Sequence, residues 1–405
     1  MAASSGPETA QQVLHYPGTG VQVLLDNAAP VADALRAVLH GWTPETLLQP
    51  DRQARIASVL GAGGQYAANS SYLGETIEGL GVAGAACAVI ADLAEDYFVT
   101  RPGCLALHCA AFAFNDRLIA MTGPTRAGKS TLAARITQEG DMSLFCDDVL
   151  PLLPTGNAVG LGIAPRLRLP LPPQSSDSFR AHVARYKGPS DDRYAYICAP
   201  TVAAHGTQLP LSVLLILDRR PSGPARLHHV ADDEALHFIL SQNMADLQTA
   251  DAAFDRLTGL LGQITCLRMV YADLEDAIAL IRHAFGTAAT VHPDVTIAPA
   301  LSSKLDRSLP ETDLSPDICW ACEPDVTLQT KADAAFLWRP GRQVIWHMNS
   351  LSLAVWTLLE IPGSARDIAQ VLASHFPDQD EATLTDDVNA LLQALAKNDL
   401  VAAVD

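Results

Sequence analysis

The chain has few basic residues for its acidic content. It carries 27 Lys and Arg against 45 Asp and Glu, a formal net charge of -18 over 405 residues. Nucleic acids and anionic membrane surfaces are both bound through clusters of Lys and Arg, so this balance argues against a general binder of either. We therefore predict no nucleic-acid partner and no membrane partner.

Long hydrophobic runs and an N-terminal targeting signal are also missing. The first residues, MAASSGPETAQQVLHYPG, have neither a basic start nor an apolar core, so no signal peptide is expected. The most apolar stretch, GLGVAGAACAVIADLAEDYF, is interrupted by Gly and contains Asp92, Glu95 and Asp96. That pattern predicts a buried helix rather than a membrane span, and we expect a cytoplasmic location.

Cysteine pairing is sparse. Eight cysteines are scattered along the chain, which in the absence of a secretory signal indicates reduced thiols. One pair, Cys319 and Cys322 in CWAC, has the spacing of a redox or metal motif. No second Cys or His pair completes a zinc site, so we interpret this spacing as fortuitous.

The stretch IAMTGPTRAGKST at 119–131 has the composition of a phosphate-binding loop. Its glycines let successive backbone N–H groups point at phosphate oxygens. An apolar strand precedes it, and a helix that starts at Ser130 and stops at Gly140 follows. Lys129 can reach the β- and γ-phosphates, and the Ser130 hydroxyl is placed to ligate Mg²⁺. The predicted nucleotide-binding residues are Gly123, Pro124, Thr125, Arg126, Ala127, Gly128, Lys129, Ser130 and Thr131.

An acidic partner decides what such a loop does, and the sequence offers two. Asp218 ends the apolar run LSVLLILD, whereas Asp147 and Asp148 lie in LFCDDV, 18 and 19 residues past Lys129. Neighbouring residues of a strand point to opposite sides, so one carboxylate can face a metal and the other an acceptor hydroxyl. Phosphoryl transfer uses such a pair. We favour the Asp147–Asp148 pair and interpret Asp218 as part of a strand-end turn.

The remaining sequence divides into regions of different pattern. Residues 1–100 are predicted to form an α/β region, in which residues 20–100 alternate helical patterns with Gly-rich breaks, as in VADALRAVLHGW. Residues 101–285 hold the loop, with a hairpin at 104–121 and a Pro-rich, strand-poor part at 151–200. Residues 286–330 have linker composition. Residues 331–405 predict a winged-helix-like unit: a hairpin turning at Gly341, then three helices, of which the second begins with a capping box from Ser364 to Asp367.

The segment LHCAAFAFNDRLIAMTGPTRAGKSTLAARITQEGDMSLFCDDVLPL resembles the catalytic core of the HPr kinase/phosphorylase-like family. That family has a Leu-His-Ala-type strand, a hairpin, the phosphate loop and an Asp-Asp pair, and His108 lies the matching 21 residues before Lys129. The resemblance implies an α/β P-loop kinase core that uses ATP and Mg²⁺. Asp147 is then the general base and Asp148 a metal- or network-holding acid, with the order of the two open, while His108 lies beside them and Ser130 helps to hold the metal.

The sequence departs from that family at two points. Arg126 replaces a small residue of the loop, and VGLGI at 159–163 continues as APRLRLPLP without the acidic family signature. This continuation is more similar to HPr-kinase-related proteins encoded with peptide-modifying enzymes, which implies that Arg168, or alternatively Arg166, steadies the transferring phosphoryl group. Lys187 and Arg193 are weaker candidates for that role. The departures argue against HPr itself as the substrate.

The C-terminal region resembles a PqqD-like domain, the recognition element for ribosomally made precursor peptides. The similar stretches are HMNSLSLAVWTLLE, GSARDIAQVLASHF and TLTDDVNALLQALAKNDLV. In that family the leader adds a strand to the hairpin edge and lies against the third helix. The resemblance places a leader near 335–338, 343–347 and 384–395. Trp346 and Trp356 are interpreted as core residues.

The preferred hypothesis is an ATP- and Mg²⁺-dependent kinase of a Ser or Thr hydroxyl on a precursor peptide, with the leader bound by residues 331–405. The predicted linker would give a reach on the order of 35 Å. One alternative is a kinase of the same fold that acts on a carrier protein or a small hydroxylated metabolite. Another is a nucleotide-gated, peptide-binding pseudokinase. The resemblance also allows a homo-oligomer without deciding it.

Overall fold

The computed structural model of the chain describes residues 11–244, 249–287, 289–301, 314–331, 334–342, 344–375 and 380–404. The chain divides into two compact units. The first comprises Met1–His229, Gln242–Ala245 and Gln263–Pro299, and the second comprises Val230–Ser241, Asp246–Gly262 and Ala300–Asp405. Within the described ranges, no helix combines the length and the apolarity needed to cross a membrane.

The N-terminal part of the first unit is a sheet with two helices. Its elements are β1 (Gln11–His15), β2 (Val21–Asp26), α1 (Ala29–Val38), β3 (Glu45–Leu47), β4 (Arg55–Ala62), β5 (Gln65–Asn69), β6 (Thr76–Leu80) and α2 (Val82–Val99). The strand order is β3-β1-β2-β4-β5-β6, with β2 and β4 parallel. The apolar face predicted for 31–39 is buried on and just after α1. The most apolar stretch is helix α2, as predicted, and its buried Asp92 and Asp96 accept hydrogen bonds from the hydroxyls of Ser70 and Tyr72.

The phosphate loop belongs to the second sheet of this unit. The elements that follow α2 are β7 (Leu105–His108), β8 (Ala110–Phe114), β9 (Arg117–Thr122), α3 (Lys129–Ile136), β10 (Met142–Cys146), β11 (Val149–Leu152), β12 (Asn157–Val159), β13 (Arg166–Arg168), α4 (Asp177–Tyr186), β14 (Lys187–Ser190), β15 (Tyr194–Ile197), β16 (Gln208–Arg219), β17 (Arg226–His229), α5 (Asp232–Gln242), α6 (Ala250–Leu261), β18 (Thr265–Tyr271), α7 (Leu274–Phe285) and β19 (Ile297–Ala298). Strands β9, β16 and β18 are parallel neighbours, so their carboxyl ends meet at one edge. Ligands of open α/β sheets bind at that edge.

The predicted hairpin is present, with one difference that matters for the site. Asn115 and Asp116 have φ of 50° and 56° and join β8 to β9, as a two-residue type I′ turn requires. The strand expected to run unbroken from 104 is interrupted at Cys109. As a result β7 pairs with β11, whereas β8 pairs with β9 and β10. This interruption places His108 beside the connection that carries the two aspartates.

Two further expectations for this unit were wrong. Residues 151–200 are not strand-poor, because they contain α4 and all or part of five short strands, β11 to β15. Each strand has only three or four residues and is flanked by Pro, Gly or turn residues, too short for a periodic signal. Helix α3 ends at Ile136 rather than at Gly140.

The C-terminal part has the predicted winged-helix-like plan. Its elements are β20 (Cys319–Cys322), β21 (Thr327–Lys331), β22 (Ala334–Trp338), β23 (Trp346–Met348), α8 (Ser350–Leu358), β24 (Gly363–Ser364), α9 (Ala365–Ala373), α10 (Glu381–Ala396) and β25 (Val401–Val404). Gly341 has φ of 77° in the hairpin turn, and the capping box between Ser364 and Asp367 is present. The apolar residues predicted for the last helix are buried in α10.

The predicted linker, 286–330, contains ordered strands. β19, β20 and most of β21 lie inside it, and β20 pairs with β24 and β25. Residues 302–313 of the predicted linker lie outside the described residues. Cys319 and Cys322 lie three positions apart on β20, so they point to opposite faces of that strand and do not converge on one metal ion. The domain boundaries expected from the sequence stay a prediction.

The three-stranded sheet β21-β22-β23 of the second unit is covered on both faces. Ala335 and Leu337 of β22 join the core formed with α8, α9 and α10. Phe336 and Trp338 point the other way, and both rings pack on Phe254 of α6, with centroid distances of 5.5 and 4.8 Å. Helices α5 and α6 are therefore part of this unit, although they precede β18 in the chain.

Candidate active site

The loop between β9 and α3 has the conformation that its glycines predict. Gly128 has φ of 94°, and a Cβ there would lie 2.3 Å from the Tyr271 hydroxyl. Gly123 has φ of 150°, and a Cβ there would lie 2.7 Å from the Leu217 carbonyl oxygen. The Tyr271 hydroxyl donates to the Ala127 carbonyl over 2.7 Å. The loop is thus packed against β16 and β18 so closely that neither glycine position admits a side chain.

Lys129 begins helix α3 and folds back over the loop. Its Nζ donates to the Gly123 carbonyl over 2.9 Å. Burial lowers the pKa of this amine, and the negative charge of Asp148 acts in the opposite direction. A cation held across a ring of backbone N–H groups, at a helix N-terminus, is the arrangement that binds a phosphate chain.

His108, Asp147 and Asp148 are brought together as the sequence predicts. His108 ends β7 opposite Val149 of β11, and its Nε2 lies 3.3 Å from Oδ1 of Asp148. The backbone of Asp148 also accepts a hydrogen bond from the Cys109 N–H over 3.0 Å. The break between β7 and β8 at Cys109 is therefore hydrogen-bonded directly to the connection between β10 and β11, which carries Asp147 and Asp148.

Asp147 has a different environment from Asp148. Its Oδ2 accepts the backbone N–H of Arg166 over 2.7 Å. Burial raises the pKa of the Asp147 carboxyl to about 7, and the neighbouring Asp148 charge adds to the rise, while the Arg166 hydrogen bond opposes it. A general base works best when its pKa lies near the operating pH. The pKa of Asp147 meets that condition.

Both aspartates line a cavity of about 270 Å³ that Ser130 also borders. Its walls are mostly apolar. One wall comes from α2, and the opposite side comes from the segment before β13 and from β15; the lining residues there are Cys87, Ile90, Ala91, Ala94, Leu161, Ile163, Ala164, Tyr194 and Tyr196. Sequence reasoning missed this wall. Its signal was the stripe of small residues at 87, 91 and 94, which helical spacing places on one side of α2.

The structure separates the two arginines proposed for phosphoryl contact. Arg168 is exposed and does not line the cavity. Arg166 does: its guanidinium lies 4.1 Å over the Tyr194 ring, and its Nη1 lies 3.1 Å from the Cys87 sulfur. Arg166 and Arg168 are alternate residues of β13 and so share a face of that strand, but the cavity does not extend along the strand as far as Arg168. Lys187 and Arg193 are exposed and do not line the cavity either.

Asp218 is held by basic neighbours. Its Oδ2 lies 2.6 Å from Arg220 and 3.6 Å from Arg268. It does not line the cavity that contains the aspartate pair. The geometry favours a structural role at the end of β16.

The donors at the cavity fit Mg²⁺. The Ser130 hydroxyl and the Asp148 carboxylate supply oxygen, which Mg²⁺ prefers, and this ion usually takes one or two carboxylates and completes its shell with water and substrate phosphates. In the described part of the chain, no group of three His, Cys, Asp or Glu side chains is placed to hold a metal ion.

The comparisons with known proteins concern mainly the C-terminal region. Residues 335–401 match the family model "Coenzyme PQQ synthesis protein D (PqqD)". This region is PqqD-like. The search of curated proteins finds no match to the chain.

Solved structures that show similarity include the following three. "TbiB1 in Complex with the TbiA(beta) Leader Peptide" is 19% identical, covers 21% of this chain and 98% of its own, and has a TM-score of 0.20. The PqqD truncation of Methylobacterium extorquens PqqCD, described as a stand-alone RiPP recognition element, is 22% identical over 23% and 97%, with a TM-score of 0.21. The Hpr(Ser) kinase/phosphatase from Coxiella burnetii is 14% identical over 43% and 90%, with a TM-score of 0.22. Both resemblances expected from the sequence recur here.

Proposed function

We propose that the protein is an ATP- and Mg²⁺-dependent kinase that phosphorylates a Ser or Thr hydroxyl of a ribosomally synthesised precursor peptide. The observation that carries this proposal is the cavity at which Ser130 of the phosphate loop meets Asp147 and Asp148. The PqqD-like match at residues 335–401 supports a peptide as the acceptor, because a domain of that kind recognises a leader.

The residues around the cavity divide the work of phosphoryl transfer. Bound MgATP supplies the transferable phosphoryl group and neutralises charge on its oxygens. Lys129 and the loop N–H groups hold the phosphates, and Ser130 with Asp148 holds the metal. Asp147 accepts the proton of the acceptor hydroxyl, and its pKa near 7 suits that role. His108, 3.3 Å from Asp148, orients that carboxylate. Arg166 rather than Arg168 stands where the acceptor enters.

The leader would bind through the outer edge of β23. Within the described residues, β23 pairs with β22 and lies at the edge of its sheet, which is where a leader would add a strand. Strand β22, which includes the expected contact region 335–338, is buried throughout and does not fit that role. Gln343, at the start of the expected region 343–347, lies outside the described residues. Trp346 packs partly against the core, as expected, and so does Trp356.

The test uses the full chain, Mg²⁺, γ-labelled ATP and candidate precursor peptides chosen from short reading frames that flank its gene, each with and without its leader segment. We expect label on a Ser or Thr of the leader-bearing peptide and much slower labelling of the leaderless one. Lys129→Ala should abolish transfer, and Arg226→Ala, an exposed arginine outside the cavity, should not. Transfer by the Lys129 variant at the wild-type rate would contradict the proposal. Deleting 331–405 is a poorer test, because it would expose Phe254.

The cavity volume supports one alternative acceptor. At about 270 Å³ it lies near the lower end for ligand pockets, roughly 300 Å³, so a small hydroxylated metabolite would fit as well as one side chain. The same assay separates the two. A metabolite kinase would label neither peptide, and its rate with a small hydroxylated compound would not change when leader peptide is added.

A further inference from the structure

A second cleft lies on the other side of the phosphate loop. Ser130 and Thr131 are consecutive residues of the first turn of α3, yet Ser130 borders the cavity of the aspartate pair whereas Thr131 borders this cleft. A nucleotide whose γ-phosphate lies beside Asp147 extends along the loop in the other direction. Its nucleoside end would therefore point toward the side of Thr131.

The cleft has a strongly cationic lining in an acidic protein. Its outer part, about 520 Å³ in volume, is bordered by Arg126, Gln174, Arg219, Arg220, Pro221, Ala272 and Asp273. Its inner part continues to Gly128 and Thr131 and shares Gln174, Arg219 and Ala272 with the outer part. Three arginines thus converge here in a chain whose formal net charge is -18.

The charged side chains at this cleft differ in whether they are paired within the protein. Arg220 is paired with Asp218 at 2.6 Å, and the Asp273 carboxylate accepts the N–H groups of Glu275 and Asp276 at the start of α7. The guanidinium groups of Arg126 and Arg219 make no hydrogen bond or ion pair with any residue that the structure describes. Their guanidinium groups are free to contact a ligand.

The sheet fixes these arginines relative to the loop. Arg219 ends β16 and lies in register with Tyr271 of β18, whose hydroxyl holds the Ala127 carbonyl. Arg126 is itself a loop residue, with φ of 69°. A guanidinium group stacks on aromatic faces as well as pairing with anions, so two free arginines beside a phosphate loop suit a nucleobase and ribose.

We propose that this cleft binds the nucleoside end of the nucleotide. Arg126 and Arg219 contact the base and ribose, and the Gln174 side chain, which carries both a donor and an acceptor, bonds to the edge of the base. This deepens the proposed kinase function and rests on it. It also gives Arg126, which departs from the family pattern, a role in binding nucleotide rather than acceptor.

The test compares two probes that share a triphosphate and differ in the nucleoside. Binding of MgATP and of magnesium tripolyphosphate is measured by competition against a fluorescent ATP analogue, in the full chain without peptide. We expect the double variant Arg126→Ala/Arg219→Ala to bind MgATP at least about tenfold more weakly and tripolyphosphate within about twofold of wild type. The control is Arg226→Ala, which should bind both as wild type does.

Three outcomes decide the matter. Equal losses for ATP and tripolyphosphate would overturn the proposal, because the arginines would then act on the phosphate chain alone. Unchanged ATP binding would overturn it as well. A wild-type protein that binds ATP but not tripolyphosphate would support it, provided the double variant loses ATP. The binding assay contains no peptide, so its result is independent of the phosphorylation assay. If the protein bound ATP in this way but phosphorylated no peptide, the kinase proposal would be contradicted and the proposal for this site would stand.

Discussion

The two units of the chain present different parts of the polypeptide: side chains around a cavity in the first, and the backbone edge of a sheet in the second. In the first, side chains from a loop and from strand ends, among them Asp147 and Asp148, line a cavity, and the proposed chemistry would depend on them and on Lys129. In the second, a small sheet is covered on both faces, and the proposed contact with a partner is the backbone edge of β23. Side-chain chemistry is removed by one substitution, whereas a backbone edge is lost only when the packing that holds it fails.

The largest effect should come from Asp147. We expect Asp147→Asn to lower kcat/KM for the leader-bearing peptide by roughly 10²- to 10⁴-fold, because the amide cannot take the proton of the acceptor hydroxyl. Leader affinity should not change. Steady-state kinetics and fluorescence anisotropy of a labelled leader give the two readings. A matching loss of leader affinity would show that the two units do not act separately.

Phe254 provides the corresponding test for the second unit, where we expect a loss of stability and of leader binding rather than a loss of catalysis. Its ring is buried against Phe336 and Trp338, and the Trp338 Nε1 donates to Asp251 over 2.7 Å. Phe254→Ala should lower the free energy of unfolding by about 3–5 kcal/mol, as for other buried Phe residues, and weaken leader binding. Urea unfolding monitored by Trp fluorescence measures the first effect. ATP affinity is the control, and its fall would mean that the change spreads into the first unit.

Gly128 distinguishes backbone shape from side-chain chemistry within the catalytic unit. A Cβ there would lie 2.3 Å from the Tyr271 hydroxyl, and the positive φ costs an Ala residue roughly 1–2 kcal/mol. We expect Gly128→Ala to weaken ATP binding about tenfold or more. Adding Tyr271→Phe removes the contact but not the φ penalty, so calorimetry should find partial recovery. Full recovery, or none, would contradict this account.

The last prediction concerns the dependence of stability on pH. The folded pKa of Asp147 is about 7, whereas an unfolded Asp has a pKa of about 3.9. Below pH 4 the carboxyl of Asp147 is protonated in both the folded and the unfolded state. As the pH rises toward 7 it ionises first in the unfolded state, which lowers the free energy of unfolding, and this loss is complete above pH 7. In metal-free protein, Asp147→Asn should therefore raise Tm most at pH 8 and hardly at all at pH 4. A difference independent of pH would be evidence against the raised pKa.

The sequence was sufficient for features that depend on local chemistry. The positive-φ glycines at 123 and 128, the Asn115–Asp116 turn, the capping box at Ser364 and the contact of His108 with Asp148 all follow from residue type and spacing. The α2 wall of the cavity and the choice of Arg166 over Arg168 depend on contacts between distant segments, which no local pattern records. The partnership of α6 with β22 was missed for the same reason, since more than 80 residues separate Phe254 from Phe336.

The two short stretches that the chain sends to the second unit, Val230–Ser241 and Asp246–Gly262, make the polypeptide pass between the units five times. A recognition domain that is joined to the rest of a chain at a single point could be moved to another enzyme by cutting the chain once at that point. Here a chimera that took only the C-terminal third would leave behind the helices that cover one face of its sheet. To redirect the proposed kinase to another leader, the transplant would have to include those stretches, or the edge of β23 would have to be redesigned in place.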